Sequence, residues 1–120
     1  MKIAVSATGK ALDSEVDPRF GRAPYFVVVD SETNDFEVHE NTQNLNLPQG
    51  AGIQAGKTIA NSGADVLLTG NCGPKAFAVL EQAGIAVVIG AKGKVSEAVS
   101  AYLKGDIGSA SGPNVDGHWV

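Results

Sequence analysis

Residues 65–75, with the sequence DVLLTGNCGPK, decide the fold. Residues 65–69 form a short apolar run that is continuous rather than alternating, which is typical of a strand covered by helices on both faces. A glycine-containing loop follows at once, and Pro74 then fits the first turn of a helix, where its missing N–H costs nothing. The stretch therefore predicts a buried strand, a tight loop and a helix in direct succession.

Two further apolar runs, residues 2–7 and 85–89, predict two more buried strands. Helical spacing occurs in the segments between and after these runs. Residues 95–103 follow the i, i+3, i+4, i+7 rule in full, residues 76–83 nearly do, and residues 52–61 form a weaker third match. Strands therefore alternate with helices, as in α/β proteins.

The segment before the first helix predicts a β-hairpin. Residues 25–30 and 36–39 are strand-like, and the turn-rich residues 31–34 join them. With the second strand antiparallel beside the first and right-handed crossovers for the rest, the five strands lie in the order 3-2-1-4-5. We therefore expect an α/β fold with a mixed five-stranded sheet.

The length of 120 residues fits a single domain. We expect this domain to span residues 1–104, followed by a loosely structured, glycine- and serine-rich tail over residues 105–120. No apolar run approaches the roughly 18 residues needed to cross a bilayer, and the first residues lack the features of a signal peptide. We therefore expect a cytoplasmic protein, a monomer or weak homodimer, without a membrane partner.

Composition argues against several classes of protein. One cysteine cannot form an internal disulfide, and with only two histidines beside it a four-ligand zinc cage cannot be filled from one chain. The net charge of -4 argues against a nucleic-acid partner. No Ser-His-Asp arrangement and no pair of carboxylates at strand ends supports catalysis, so we expect a protein that is not an enzyme.

The predicted topology places a site at the carboxyl ends of the parallel strands. Ligands of open α/β sheets bind where neighbouring connections leave in opposite directions, which here lies between the first and fourth strands. Two loops, residues 8–10 and 70–73, meet at this point. Because the second loop leads into a helix N-terminus, its backbone N–H groups and the helix dipole favour an anion.

Basic residues gather at the same predicted edge. Six of the nine lie there: Lys10, Arg19, Arg22, Lys75, Lys92 and Lys94. The opposite edge receives Asp30, Glu32, Asp35 and Asp65. Asp13, Glu15 and Asp17, however, share the long loop that carries Arg19. The pattern leaves open both an anion site and a rim of charge that is merely solvated.

Cys72 is the soft ligand available at this edge. A helix N-terminus and Lys75, three residues away, are expected to lower its pKa and to expose a thiolate suited to copper or iron-sulfur species. The alternative is a small buried hydrophobic residue. His39 is expected to be a solvated residue of the edge strand, and His118 either folds back toward a ligand or ends a frayed tail.

Two alternative functions follow from other segments. Residues 51–58, AGIQAGKT, match a relaxed phosphate-binding P-loop that ends in Lys57 and Thr58 and would bind a nucleotide. A true P-loop follows a buried strand directly, whereas residues 41–49 intervene here. The second alternative is a regulatory interaction module whose partner contacts the hairpin edge, residues 35–40.

Four segments resemble one known family: residues 20–26 (FGRAPYF), 50–52 (GAG), 65–70 (DVLLTG) and 73–76 (GPKA). Their order and spacing resemble the dinitrogenase iron-molybdenum cofactor biosynthesis family over residues 1 to about 103. Its members include NifX-type cofactor carriers, the C-terminal part of NifB and small stand-alone proteins, one group of which binds a molybdenum-copper sulfide cluster. The resemblance implies a ribonuclease H-like, three-layer fold without nuclease activity, because the first strand carries no acidic residue.

The resemblance further implies a non-catalytic carrier that holds an anionic metal-sulfur cluster, of iron-molybdenum or molybdenum-copper type, and exchanges it with donor and acceptor proteins. The residues expected to hold the cluster are Thr8, Gly9, Arg19, Arg22, Gly50, Gly52, Asn71, Gly73 and Lys75. Cys72 is a candidate metal ligand and His118 a weaker one. Arg19 stands where many members have a histidine before Phe-Gly, so it offers charge and hydrogen bonds in place of a ligand.

Overall fold

The computed structural model describes residues 1–44, 50–108, 110 and 112–113. Five strands and three α-helices follow one another along the chain. The strands are β1 (Lys2–Ala7), β2 (Tyr25–Asp30), β3 (Phe36–Glu40), β4 (Val66–Leu68) and β5 (Ala86–Val88). The helices are α1 (Ala51–Asn61), α2 (Pro74–Gln82) and α3 (Val95–Leu103), and a short 3-10 helix spans Thr42–Asn44.

The strands form one mixed sheet in the order β3-β2-β1-β4-β5, which confirms the predicted order. β2 is antiparallel to both β1 and β3, whereas β1, β4 and β5 are parallel. β4 and β5 are each one residue shorter at both ends than expected. The ribonuclease H-like assignment stays a prediction, since a strand order and three helices do not by themselves name a fold family.

Helices cover both faces of the sheet. The alternation of side chains along each strand sends Ala4, Val28 and Leu67 to the face covered by α1 and α2. Neighbouring residues such as Val5 and Val27 point to the face covered by α3. These two apolar layers are the reason that the strand sequences are continuous rather than alternating in hydrophobicity.

α1 and α2 pack side by side on their face of the sheet. Gly56 allows this approach, because a Cβ built on it would lie 2.9 Å from Val79 Cγ1. Each helix leads into a strand of the parallel set, α1 into β4 and α2 into β5. Both helices therefore run opposite to the strands, and their N-termini lie at the carboxyl edge of the sheet.

The described part of the C-terminal segment contacts the domain. Ile107 packs against the α3-side core, and Ala110 packs against the other core while its N–H donates to Val87 O at 2.7 Å. The boundary at residue 104 stays a prediction, and His118 lies outside the described residues. No helix in the described ranges is long and apolar enough to cross a membrane.

Candidate functional site at the carboxyl edge of the sheet

The long loop between β1 and β2, residues 8–24, closes the predicted crevice between β1 and β4. Ser6 at the end of β1 and Thr69 beyond β4 are both fully buried, with their hydroxyl oxygens 2.8 Å apart. Ser6 Oγ also donates to the main-chain oxygen of Asp17 at 2.7 Å. The loop therefore fills the space directly between the two strand ends, and the open surface begins beyond it.

Pro18 packs directly on Gly70, the first residue of the β4–α2 loop. A Cβ built on Gly70 would lie 2.6 Å from Pro18 Cα and 2.9 Å from Pro18 O. The main-chain N–H of Asn71 donates to Pro18 O at 2.8 Å, and its Nδ2 donates to the same oxygen at 3.0 Å. Gly70 is therefore required by a close backbone approach rather than by a special φ angle.

Arg19 is held in place by its backbone, while its side chain extends into solvent. Arg19 forms an isolated parallel bridge with Asn71, and its N–H donates to Asp17 Oδ1 at 2.9 Å. Its Nε lies 3.8 Å from the same carboxylate oxygen, and 53% of the side chain is exposed. The backbone of Arg19 is thus fixed beside the β4–α2 loop, and about half of its side chain is exposed to solvent.

The N-termini of α1 and α2 border this surface. Gly50, the N-cap of α1, adopts a left-handed φ of 81°, and Gly73 is the N-cap of α2. Neither N-cap residue offers a side chain that would satisfy the first-turn N–H groups. Gly52 and Gly73 are buried and Lys75 is exposed in the first turn of α2. Helix N-termini with this composition attract anions.

Arg22 belongs to a segment that Asn41 fixes from the far end of β3. Asn41 is fully buried, and its Nδ2 donates to Ala23 O at 2.7 Å and to Gly21 O at 3.2 Å. Its N–H donates to Pro24 O at 2.8 Å. Asn41 was missed by the sequence analysis, where the available signal was a lone polar residue directly after the edge strand.

Thr8 and Gly9 lie apart from this surface, on the α3 side of the loop. Thr8 N–H donates to Glu15 O at 3.0 Å, and a Cβ on Gly9 would meet Ser14 Oγ at 2.6 Å. Ser14 O in turn accepts from Val95 N at the start of α3. Thr8 thus bonds to the returning loop at Glu15, whereas Asn71 bonds to it at Pro18.

The expectation of an exposed Cys72 thiolate is wrong. Cys72 has no accessible surface and belongs to the core cluster that also contains Phe20 and Ala76. Its Sγ lies 3.7 Å from Gly73 O. Burial raises the pKa of the thiol to about 12 from an ordinary value of 9.0, since charging a sulfur in an apolar core costs desolvation energy. Proximity to a helix N-terminus in the sequence did not place the side chain on the surface.

The P-loop interpretation is not supported by the local geometry. Lys57 lies in the middle of α1, six residues after its first residue Ala51, and its side chain is exposed. Thr58 Oγ1 donates to Gln54 O at 3.1 Å within the helix. In a phosphate-binding loop these side chains would instead begin the helix and face the phosphates.

Other metal-binding side chains do not gather near this edge. His39 Nε2 lies 3.3 Å from Glu37 Oε1 on β3. Among the residues that the structure describes, no group of three or more histidine, cysteine, aspartate or glutamate side chains is placed to hold a metal ion.

Comparison with known proteins agrees with this architecture. The orange protein from Desulfovibrio gigas, solved in its apo form, is 50% identical, with a TM-score of 0.93 over 95% of this chain and 96% of that one. A Thermotoga protein with the provisional name NifB is 33% identical, with a TM-score of 0.83 over 97% and 98% of the two chains. An uncharacterised protein of Methanocaldococcus jannaschii is 33% identical over 89% of each chain.

A family model described as dinitrogenase iron-molybdenum cofactor matches residues 1–105. This match spans every strand and helix of the domain. The chain therefore belongs to the dinitrogenase iron-molybdenum cofactor family.

Proposed function

We propose that this protein is a non-catalytic, cytoplasmic carrier of an anionic metal-sulfur cluster in cofactor assembly or storage. Membership of the dinitrogenase iron-molybdenum cofactor family supports a role in handling such a cluster. The similarity to the orange protein also supports a binding role, because the description of that structure as an apo form implies a ligand-bound form of that protein. The cluster is the cargo, and donor and acceptor proteins would deliver and remove it.

One observation carries this proposal: the backbone of Arg19, whose guanidinium is exposed, is fixed beside the loop that leads into the N-terminus of α2. The bridge between Arg19 and Asn71 is a backbone pairing, so it holds the Cα from which this cation extends. Lys75 adds a second exposed cation in the first turn of that helix. Sulfide-rich clusters carry negative charge and many weak acceptor atoms, which match cations and backbone N–H donors.

The cluster would lie on the α1 and α2 side of the long loop. Arg19, Arg22 and Lys75 would supply positive charge, and backbone N–H groups around Gly52 and Gly73 would supply hydrogen bonds. Gly50 and Asn71 border the same surface. Thr8 and Gly9 face the other side of the loop and would contact only the outer part of a bound cluster.

Cys72 would not hold the cluster in this arrangement. Its thiol is buried and its pKa is raised, so a metal-thiolate bond would require both opening of the core and loss of a tightly held proton. We therefore propose that the cluster is held noncovalently. His118 lies outside the described residues and stays a weaker candidate for a metal ligand.

Anaerobic reconstitution tests the proposal. The protein is mixed with copper and tetrathiomolybdate, or with iron, molybdate and sulfide, and then separated from free cluster by gel filtration. We expect visible charge-transfer absorption to elute with the protein, and metal analysis of that peak to identify the cluster type. Cys72→Ala should retain this absorption, whereas the double variant Arg19→Ala, Lys75→Ala should lose most of it.

A matched control separates local charge from net charge. The double variant Lys57→Ala, Lys104→Ala removes the same number of positive charges from exposed positions away from the edge. It should bind the cluster as the unmodified protein does. Absence of coloured protein under every condition would refute the carrier function, and loss of colour in Cys72→Ala alone would refute noncovalent holding.

A further inference from the structure

The outer edge of β3 presents backbone groups that no other strand uses. β3 pairs with β2 alone, at the end of the sheet. Hydrogen bonds from Asp30 N to Asp35 O and from Asn41 N to Pro24 O show which β3 residues bond to β2 in this antiparallel pair. Residues 35, 37, 39 and 41 therefore face β2, and Phe36, Val38 and Glu40 direct their N–H and C=O groups outward.

These outward groups are open within the described part of the chain. Among the described residues, no segment outside the sheet forms a backbone hydrogen bond with Phe36, Val38 or Glu40. Phe36 is also one of the large apolar side chains that stay exposed, at 44%. Edge strands are usually protected by lysine, proline or a covering segment. Residues 36–40 contain neither lysine nor proline.

The hairpin around this edge is mostly acidic. Residues 30–40 hold five carboxylates and no lysine or arginine: Asp30, Glu32, Asp35, Glu37 and Glu40. Three of these carboxylates and Phe36 help to line a cavity of about 270 Å³ beside the strand. The basic rim of the candidate cluster site lies at the other end of β1. Lys2 lines the same cavity, and His39 Nε2 lies 3.3 Å from Glu37 Oε1, so an occupant of the β3 edge meets mostly, but not only, negative charge.

The two faces of the edge differ in chemistry. Glu37 pairs with Val28 and lies on the α1 and α2 face, whereas Phe36 and Val38 pair with Val29 and Val27 and lie on the α3 face. A strand added beside β3 would place alternate side chains against these two sets. Glu37 and His39 therefore lie on one face, and Phe36, Val38 and Glu40 lie on the other.

We propose that the β3 edge binds an extended segment of a partner protein in which basic and apolar residues alternate. The added strand pairs with the backbone of Phe36, Val38 and Glu40, its basic residues lie beside Glu37 and the neighbouring carboxylates, and its apolar residues lie beside Phe36 and Val38. A second copy of this chain matches this pattern less well, because its β3 contains no lysine or arginine to lie beside Glu37. The proposal is independent of the cluster site.

Titration with designed peptides tests this inference. The probe is a fluorescein-labelled nine-residue peptide of alternating lysine and valine, and the control peptide replaces every lysine with glutamate. We expect the lysine peptide to bind, the glutamate peptide not to bind, and the amide protons of Phe36, Val38 and Glu40 to become protected from hydrogen exchange in the complex.

Two variants separate backbone pairing from charge. Val38→Pro removes an outward N–H donor without removing a β2–β3 bond, and should weaken binding about fivefold or more. Glu37→Lys should weaken binding by a similar factor, whereas Glu81→Lys, the same change on the exposed side of α2, should have little effect. Thermal unfolding checks that each variant stays folded.

Three outcomes would overturn the inference. Binding with equal affinity to the Glu37→Lys and Glu81→Lys variants would indicate unspecific attraction to a negative protein. Binding without protection of the Val38 amide would exclude strand addition. Protection of the same amides at high protein concentration without peptide, together with a doubled mass, would identify a second copy as the occupant instead.

Discussion

At the level of single residues, the side chain of Cys72 has a role set by the core rather than by its place in the sequence. Its backbone borders a helix N-terminus, but its thiol shares an apolar cluster with Phe20 and Ala76. The direction of one side chain thus converts a candidate ligand into a packing residue. The direction of this side chain depends on tertiary contacts, which cannot be deduced from residues 70–75 alone.

The thiol of Cys72 should be nearly unreactive in the folded protein. With a pKa of about 12 instead of 9.0, the thiolate fraction at pH 8 is about a thousandfold lower than in the unfolded chain. Labelling with a disulfide reagent at pH 8 should therefore be very slow in buffer and complete within minutes in denaturant. Rapid labelling of the folded protein would show that the thiol is exposed.

The same pKa predicts a loss of stability at alkaline pH. Between pH 9 and 12 the unfolded chain has released the thiol proton while the folded chain retains it, so the free energy of unfolding falls as pH rises. For this group the slope is at most about 1.4 kcal/mol per pH unit. Urea denaturation of the unmodified protein and of Cys72→Ala across this range should show the smaller pH dependence in the variant.

Arg19 should matter for binding and hardly at all for folding. Its ion pair with Asp17 is long and solvent-exposed on the arginine side, so Arg19→Ala should change the free energy of unfolding by less than about 0.5 kcal/mol. Loss of a charge-assisted contact should weaken cluster binding about tenfold or more. Equilibrium dialysis measures the cluster affinity of Arg19→Ala, with Lys104→Ala measured in parallel as the control. Equal affinities of the two variants would remove Arg19 from the site.

At the level of loops and helices, the contact between Pro18 and Gly70 joins two segments that are distant in the chain. It closes the space between β1 and β4 and sets where Arg19 leaves the loop. The atoms that a Gly70 side chain would meet are mainly backbone, so the loop can relieve a clash only by moving away. The position of the candidate site therefore depends on this glycine.

Gly70→Ala should lower both stability and cluster affinity. Overpacking against the Pro18 backbone should cost about 1–3 kcal/mol of unfolding free energy, and displacement of the loop should carry Arg19 with it. Gly108→Ala is the matched control, because open space surrounds that position. Urea denaturation with parallel cluster titration measures both effects, and an unchanged Gly70→Ala variant would contradict the close contact.

The packing of α1 on α2 predicts a coupled pair of substitutions. Alanine at position 56 gains helix propensity of about 1 kcal/mol but brings Cβ to 2.9 Å from Val79 Cγ1. The change in unfolding free energy caused by Gly56→Ala should therefore be more stabilising in a Val79→Ala background than in the unmodified protein, by about 0.5 kcal/mol or more. A double-mutant cycle of denaturation measurements gives this difference, and strict additivity would contradict the contact.

At the level of the whole molecule, the exposed cations of the candidate site and the carboxylates of the β2–β3 turn lie at opposite ends of the sheet. The net charge is -4, yet Arg19 and Lys75 border the carboxyl edge while Asp30 and Asp35 lie at the amino edge of β1. The attraction for an anion is therefore local and opposed by the rest of the molecule. The proposed cargo site thus carries exposed cations, whereas carboxylates predominate around the proposed β3 edge site.

Cluster affinity should consequently fall steeply with salt. The Debye length shortens from about 10 Å at 0.1 M to about 3 Å at 1 M, so exposed cations lose most of their effect on the cluster. Raising sodium chloride from low to molar concentration should weaken binding several-fold, as followed by visible absorption during dialysis. Affinity that is independent of salt would indicate a covalent or mainly apolar mode of holding.

Local sequence predicts the sheet better than it predicts the site. Residues 2–7 and 25–30 form strands with the expected bounds. Short continuous apolar runs bounded by glycine or turn residues are typical of buried strands. The path of residues 8–24 was not predicted, since it depends on Pro18 meeting Gly70 more than fifty positions later. Asn41 was missed for the same reason, because its two buried carbonyl partners lie in that loop.

The hydrogen bond from Ala110 to Val87 has a consequence for assembly. Val87 is the middle residue of β5, and its carbonyl, at the far end of the sheet from β3, is already occupied by the chain's own C-terminal segment. Growth of a continuous sheet through many copies requires two free ends on each copy, as a polymer requires bifunctional monomers. Within the described residues β3 is the one sheet end without such a partner, and a molecule with one free end terminates such growth after a single addition, which favours complexes of fixed stoichiometry over fibres.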